Sequence, residues 1–427
     1  MSVVTIAPFD AANRKTIAQG HPYDWQSPLP KDLYDLVVIG GGPAGMTAAF
    51  TAAKSGHTVA LAERNLPGGT CVNFGCTPSK ALVRAARAVY HAESGEKFGY
   101  TLSEPPRVDF AGVMTRVREM RAEVGSVDTV ATVAKAGIDV FLGDACFVGR
   151  DTVAVAGRHL RFEKALIASG SRPAVPDIPG LADADYLTNE TVFELTALPG
   201  RLVCIGGGTV NCELAQAFRR FGSDVHLVGS EERLLPGDVP AASEVVTDRL
   251  REEGVRLHLG VRASAVDGSR KRLTLSDGTE LSYDVLLVAA GRAVNVGGMG
   301  LEAAGVEYTK AAIQTDDLFQ TTNPSVYAAG DVARPEKWTH AAKAMAKMAL
   351  ANALDGVEKR ISDLVIPHCS YTDPEVAHVG MTPRDAEERG IVIETHQLEL
   401  SSVERAVIDG ETEGFAALYT HNAASGL

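Results

Sequence analysis

The chain spells out one short plan twice, and that repetition limits its fold more than any other feature. Leu36-Val37-Val38-Ile39 is a continuous apolar run ending at Gly40-Gly41-Gly42, small residues from Ala44 to Lys54 follow, Gly56 stops them, and Val59 to Ala62 is apolar again. A buried strand, a glycine turn, a helix of small residues and a second strand make a βαβ unit, whose parallel strands are covered on both faces. The same order returns with Leu202 to Ile205, Gly206-Gly207-Gly208, a helix near Glu213 to Phe221, Gly222 and the strand Val225 to Val228. Two nucleotide sites are expected, one per copy.

In the first unit the spacing is Gly40-x-Gly42-x-x-Gly45, and Glu63 ends the second strand 18 residues after Gly45. The glycines permit a tight turn, close approach of a pyrophosphate and close helix packing, while a terminal acid accepts from a ribose hydroxyl. The second unit reads Gly206-x-Gly208-x-x-Asn211. An Asn in the third place means either that helix and strand loosen or that Asn211 makes a polar contact. That unit's second strand ends at Gly229 instead of an acid, followed by Ser230, Glu231, Glu232 and Arg233. Loss of the acid leans towards NADPH or a relaxed choice, although the two glutamates oppose a 2′-phosphate and only Arg233 welcomes one.

Charge and composition narrow the function. With 41 Lys+Arg against 54 Asp+Glu the net charge is −13, which gives nucleic-acid phosphates little to hold. No apolar run approaches the roughly 20 residues of a membrane span, and the polar start (Asn13, Arg14, Lys15, Gln19) has no signal-peptide core, so a cytoplasmic protein without a membrane partner is expected. Six cysteines in 427 residues cannot form a secreted disulfide scaffold. Two of them, Cys71 and Cys76, follow Gly68-Gly69-Thr70 just beyond the first unit, near where a dinucleotide's redox ring would sit, and Pro78-Ser79-Lys80 then starts a helix whose N-terminus favours a thiolate. A redox pair, a pair of buried structural cysteines and a metal site remain the readings of this spacing, the last without a further His or Cys pair to support it. Cys146, Cys204, Cys212 and Cys369 read as core residues.

Gly-Gly-Thr-Cys-Val-Asn-Phe-Gly-Cys-Thr-Pro-Ser-Lys, residues 68 to 80, resembles the redox-active segment of the flavoprotein pyridine nucleotide-disulfide oxidoreductases, which include glutathione reductase, dihydrolipoamide dehydrogenase and mercuric reductase. Residues 165–170 and 285–292 resemble that family's strand-to-glycine crossings, residues 322–331 its second flavin motif, and Tyr371-Thr-Asp-Pro-Glu375 the opening of its dimerisation domain. The resemblance implies FAD at the first nucleotide site and NAD(P)H at the second, with Gly69, Thr70, Ser169, Gly170, Gly291, Arg292, Gly330 and Asp331 joining Gly40, Gly42, Gly45, Glu63, Gly206 and Gly208 in cofactor binding. It implies no metal cofactor. It further implies that Cys71 and Cys76 form a disulfide reduced through the flavin, that Cys76 becomes the charge-transfer thiolate and Cys71 attacks substrate, and that Lys80 pairs with Glu213 beside the flavin N5.

The implied architecture is α/β, with two Rossmann-like dinucleotide-binding domains and a truncated α+β dimerisation domain. Residues 1–32 read as an irregular arm, 33–185 and 286–358 as the FAD domain, 186–285 as the NAD(P) domain, and 359–427 as an incomplete dimerisation domain. Residues 140–167 read as an antiparallel meander and Thr339 to Leu354 as a helix. A small-molecule disulfide or Hg(II) is the implied substrate, and a homodimer the implied full-length assembly. The family's C-terminal His-Glu or Cys-Cys segment would fall beyond Leu427, which leaves a flavin-binding protein with little turnover as the alternative. His340, His368 and His378 lack that segment's context and read as structural or surface histidines.

Overall fold

The computed structural model describes residues 4–421. The arm is not irregular throughout: α1 (Ala11–Gly20) is capped by Asp10, which accepts from the Asn13 amide, and it buries Asn13, Thr16, Ile17 and Gly20. Next come β1 (Tyr34–Ile39), α2 (Pro43–Lys54) and β2 (Val59–Glu63), the first unit in the order its sequence requires. The cysteine segment forms α3 (Gly69–Phe74) and α4 (Cys76–Glu93), separated by Gly75. Then follow α5 (Phe110–Val124), α6 (Val130–Lys135), β3 (Ile138–Leu142), β4 (Cys146–Phe147), β5 (Thr152–Val155), β6 (Arg158–Ile167) and β7 (Ser171–Pro173).

Six strands of the first sheet run in the order β3-β2-β1-β6-β5-β4, a seventh from later in the chain pairs with β6, and β1 lies at the sheet's centre, parallel to both β2 and β6. Its residues Val37 and Val38 are fully buried on opposite faces, as an unbroken apolar strand demands. The meander expected over 140–167 is confined to β4, β5 and β6. Val140 belongs to β3, parallel to β2, and Ala165 to Ile167 run parallel to β1, because β6 is long enough to serve both arrangements.

The second sheet is built from β8 (Tyr186–Leu187), β9 (Arg201–Ile205), β10 (Asp224–Gly229), β11 (Arg256–Leu259) and β15 (Val285–Val288), all parallel, in the order β11-β10-β9-β15-β8. Between them lie α7 (Thr209–Arg220), α8 (Pro240–Glu252) and the antiparallel strands β12 (Ala263–Asp267), β13 (Arg272–Leu275) and β14 (Glu280–Ser282). The chain then returns to the first sheet. β16 (Arg292–Val294) pairs with β7, α9 (Leu301–Ala304) follows, and β17 (Val326–Ala328) adds to β6. α10 (Thr339–Leu350) packs against α2 and runs into a π-helical turn, Ala351–Asp355. Beyond it are β18 (His368–Ser370), β19 (Val376–His378), α11 (Pro383–Glu388), β20 (Glu394–Glu399), α12 (Glu404–Asp409) and β21 (Phe415–Thr420), with β20 and β21 forming a hairpin. Of the cysteines read as core, Cys204 and Cys212 are buried, whereas Cys146 and Cys369 lie in short strands at the margins and are half-buried. No described helix is long and apolar enough to cross a membrane.

Candidate functional site

The first turn is closed by contact. Gly40 has φ +103°, and a Cβ there would meet the Ala168 carbonyl oxygen at 2.4 Å; a Cβ on Gly45 would fall 1.8 Å from the Gly40 carbonyl oxygen. Only glycine lets α2 come so near β1. The N-cap of α2 is Gly42, with no side-chain cap and no acid in the first turn, so the amides at this helix end stay open to an anion. Glu63, buried at the end of β2, accepts from the Gly41 amide through Oε2 and from the Asn65 amide through Oε1 at 2.6 Å. Burial pushes its carboxyl up, and the two amides oppose that shift.

Across the same sheet edge, Gly330 holds α2 and α10 close: a Cβ there would sit 3.2 Å from the Ala342 Cβ and 3.4 Å from the Ala44 Cβ. The next residue, Asp331, accepts from the Ser171 hydroxyl and lies 3.6 Å from Arg292 Nε, which itself donates to Ser171 Oγ at 2.7 Å. Ser169 donates to the Asn295 carbonyl at 2.8 Å, the Gly170 carbonyl accepts from the Asn295 amide at 3.0 Å, and that of Gly291 from the Ala174 amide at 3.0 Å. These residues therefore knit the β7–β16 crossing together. An open helix end, a buried acid and a glycine cradle fit a dinucleotide.

The cysteines stand against that cradle. Gly69, at φ +57°, passes so near the first turn that a Cβ would meet the Gly42 Cα at 2.7 Å, and Thr70 follows it on α3. Cys71 is half-buried; Cys76 is exposed and is the first residue of α4. Both are thiols in this structure, and each bears on the other's charge. The neighbouring Cys71 thiol, helped by the Thr339 hydroxyl at 3.4 Å and the Lys80 ammonium and opposed by burial, holds the Cys76 thiol down to about 6. The Cys76 thiol beside it, and burial, push Cys71 up. One turn along α4, Lys80 Nζ donates to both oxygens of Glu213, at 2.8 and 3.1 Å. Glu213 is 2% exposed and also accepts from the Tyr371 amide at 2.9 Å, while the Tyr371 ring lies 4.5 Å from Lys80 Nζ. The ion pair is thus completed by a hydrogen bond and a ring face, which a buried pair requires.

At the second turn, a Cβ on Gly206 would meet the Ala289 carbonyl oxygen at 2.5 Å, and Gly208 is open and leaves α7 without a side-chain cap. Asn211 is fully buried and donates to the carbonyls of Ile205 and Gly206, both at 2.8 Å. Of the two expectations for this position, the polar contact is the one formed. Arg233 donates to the carbonyls of Pro236 and Asp238 at 3.3 and 3.4 Å. His340 donates to the Pro367 carbonyl, His368 pairs with Asp238 at 2.8 Å, which raises its pKa, and His378 donates to the Gly380 carbonyl at 2.9 Å.

A profile described as pyridine nucleotide-disulphide oxidoreductase matches residues 34–345, and that family's dimerisation-domain profile matches residues 366–425. The chain belongs to the pyridine nucleotide-disulphide oxidoreductases. Members of this family use FAD and NAD(P)H, and the chain carries their redox disulfide centre and dimerisation domain. It is 37% identical over 392 residues to a mercuric reductase of Lysinibacillus sphaericus, covering 90% of this chain and 72% of that one. It is 34% identical to a dihydrolipoyl dehydrogenase of Bacillus subtilis, covering 90% and 84%. Among solved structures, the HOCl-induced flavoprotein disulfide reductase RclA of Escherichia coli superposes with a TM-score of 0.81 at 28% identity, over 91% of this chain and 87% of that one.

For an oxidoreductase of this kind, sequence reasoning missed four residues that complete the site. Thr339 reaches Cys76 from α10, Tyr371 covers Lys80, and Ser171 joins Arg292 to Asp331, while Lys337 donates to the Asp331 carbonyl. Each is an ordinary residue in its own segment, brought in only by tertiary packing. Tyr371 carried the one usable signal, the resemblance of its segment to the start of the dimerisation domain.

Proposed function

We propose that the protein passes electrons from NAD(P)H to the Cys71–Cys76 disulfide and on to a small disulfide or to Hg(II), as a homodimer. For a disulfide the sum is one NAD(P)H and one proton consumed and two thiols released; for Hg(II) it is Hg(0), NAD(P)+ and a proton formed. The first turn, Glu63 and the Asp331 cluster would hold FAD, which would supply the two-electron relay between nucleotide and disulfide. NAD(P)H would rest on the second turn, and the strand end at Gly229 leans the choice towards NADPH.

The chain's own groups divide the thiol chemistry. Cys76 is suited to remain a thiolate at neutral pH, since Cys71, Thr339 and Lys80 all favour its charge. Cys71 keeps its proton and is the thiol that must be deprotonated to attack a substrate. Lys80 presents a fixed positive charge, held by Glu213, beside the cysteines. The place of Cys76 as the first residue of α4, against the Thr339 hydroxyl and one turn before the Lys80–Glu213 pair, is the observation that carries these roles. The names of its relatives support both substrate classes, and steady-state NADPH oxidation with Hg(II) thiolate complexes against small disulfides decides between them.

The roles are tested by spectra of the reduced holoprotein. Cys76→Ser is expected to abolish long-wavelength charge-transfer absorbance, and Cys71→Ser to enhance it; equal behaviour would refute the assignment. In the reduced wild type that absorbance should be full above neutrality and fade as pH falls through about 6, because protonation removes the Cys76 thiolate. A band still intact at pH values well below that would show that Cys76 is not its source.

A further inference from the structure

A single buried cation joins residues 4–21 to the cysteine segment. Arg121 of α5 is 2% exposed. Its Nη2 donates to Asn13 Oδ1 on α1, its Nη1 donates to the Asn73 carbonyl of α3 at 3.1 Å, and its Nε has no partner. Among the described residues no carboxylate forms an ion pair with it; the nearby Asp10 is taken by Arg118 at 2.6 Å. Burial, and then the Arg118 charge, lower Arg121 to about 10, so it remains charged at neutral pH. A buried charge with no counter-ion is expensive to hold, and an apolar residue would pack the same space at less cost. What the guanidinium gains instead is geometry, two amide-derived oxygens fixed by one rigid fork.

Both ends of that fork are built in. Asn13 is fully buried and donates to the carbonyls of Ala7 and Pro8 at 3.2 and 2.7 Å. Asn73 lies two residues after Cys71, near the end of α3, and its side chain donates to the carbonyls of Pro67 and Gly69, each at 3.0 Å. It therefore ties the start of α3 to its finish, while Asn189 holds the Phe74 carbonyl at 3.0 Å. Ile6 and Ile17 pack with Leu66, and Phe74 lies against them, so the arm touches the segment on an apolar side as well.

We propose that Asn13 and Arg121 are positioning residues for Cys71: the chain Asn13–Arg121–Asn73 fixes α3 and with it the approach of the Cys71 thiol to Cys76, making residues 4–21 a working part of the redox centre. The inference rests on the reading of Cys71 and Cys76 as the redox pair. A misplacement of about 1 Å in an organised reaction costs on the order of 10²-fold.

The test compares full-length holoprotein with Asn13→Ala, Arg121→Met and the double variant. It reads the rate of Cys71 alkylation by iodoacetamide after NADPH reduction, mapped by mass spectrometry, and the dithiol–disulfide equilibrium against glutathione. Each variant is expected to shift both readings by about tenfold or more while flavin reduction by NADPH in stopped flow stays unchanged, since Lys80, Glu213 and both turns are untouched. The double variant should match Arg121→Met, because the path runs through the guanidinium. A purely structural role would lower the melting temperature and leave both thiol readings in place, and that result, or additive effects, overturns the proposal. Should Arg121→Met not fold, Asn13→Ala decides alone, since it keeps the guanidinium. Absence of any reducible disulfide in wild type, checked with Cys71→Ser and Cys76→Ser, would overturn the redox-pair reading and this inference with it; a working pair with a silent Asn13→Ala overturns only the inference.

Discussion

At the first nucleotide turn, Gly45 lets α2 press onto the Gly40 carbonyl, and Glu63 waits at the end of β2; at the second, Asn211 fills the matching place and Gly229 ends β10 with no side chain. The same backbone plan is closed by absence in one unit and by an amide in the other. Asn211 satisfies two carbonyls, Ile205 and Gly206, and so converts a gap between helix and strand into a fixed link. The third glycine of the motif is thus a solution to close packing, and a buried side chain that supplies its own hydrogen bonds is a second one.

The largest expected effect is that of Gly45→Ala. Its methyl cannot coexist with the Gly40 carbonyl as placed, and overpacking of this kind costs about 3 kcal/mol. The variant should purify with little yellow colour and melt well below wild type; retained flavin and an unchanged melting temperature would break the comparison. Asn211→Ala comes next, at about 2 kcal/mol, because the Gly206 carbonyl loses its donor and the Ile205 carbonyl is left with the Ala289 amide alone. Calorimetry should show the loss, stopped flow should show weaker NADPH binding, and flavin content should hold. The smallest effect is expected from Gly229→Asp, where a Cβ would have its nearest contact with a Leu259 methyl at 3.1 Å and needs only a slight shift. A carboxylate bond to a ribose hydroxyl is worth roughly 1.5 kcal/mol, about tenfold towards NADH in the ratio of reduction rates. An unmoved ratio would place coenzyme choice on other residues, with Glu231 and Arg233 next to examine.

Both units were legible because their glycines and apolar runs are local signals, and the Cys71–Cys76 segment because its residues lie in one stretch. The helix α1 was not, since the positions it buries include Asn13, Thr16 and Gly20, and a stripe so polar has no apolar period. Asp10 three residues before Asn13 was the available cue, an N-cap without its usual apolar sequel. The length of β6 hid a change from antiparallel to parallel neighbours inside one alternating run. Of the site, the Lys80–Glu213 distance was reachable only through family resemblance, since 133 residues separate the partners. Thr339, Ser171 and Arg121 carry no pattern at all and depend on what the fold sets opposite them.

The contact between Gly42 and Gly69 has a consequence for anyone who would move this chemistry to another scaffold. The cysteine segment is not a detachable cassette inserted after a nucleotide fold, because its first turn passes so near the glycine loop that a Cβ on Gly69 would meet the Gly42 Cα at 2.7 Å. A graft of residues 68–80 alone would therefore meet a side chain in most recipient turns and stand off from the flavin. The transferable piece begins at Gly40, and its two glycines must travel as a matched set.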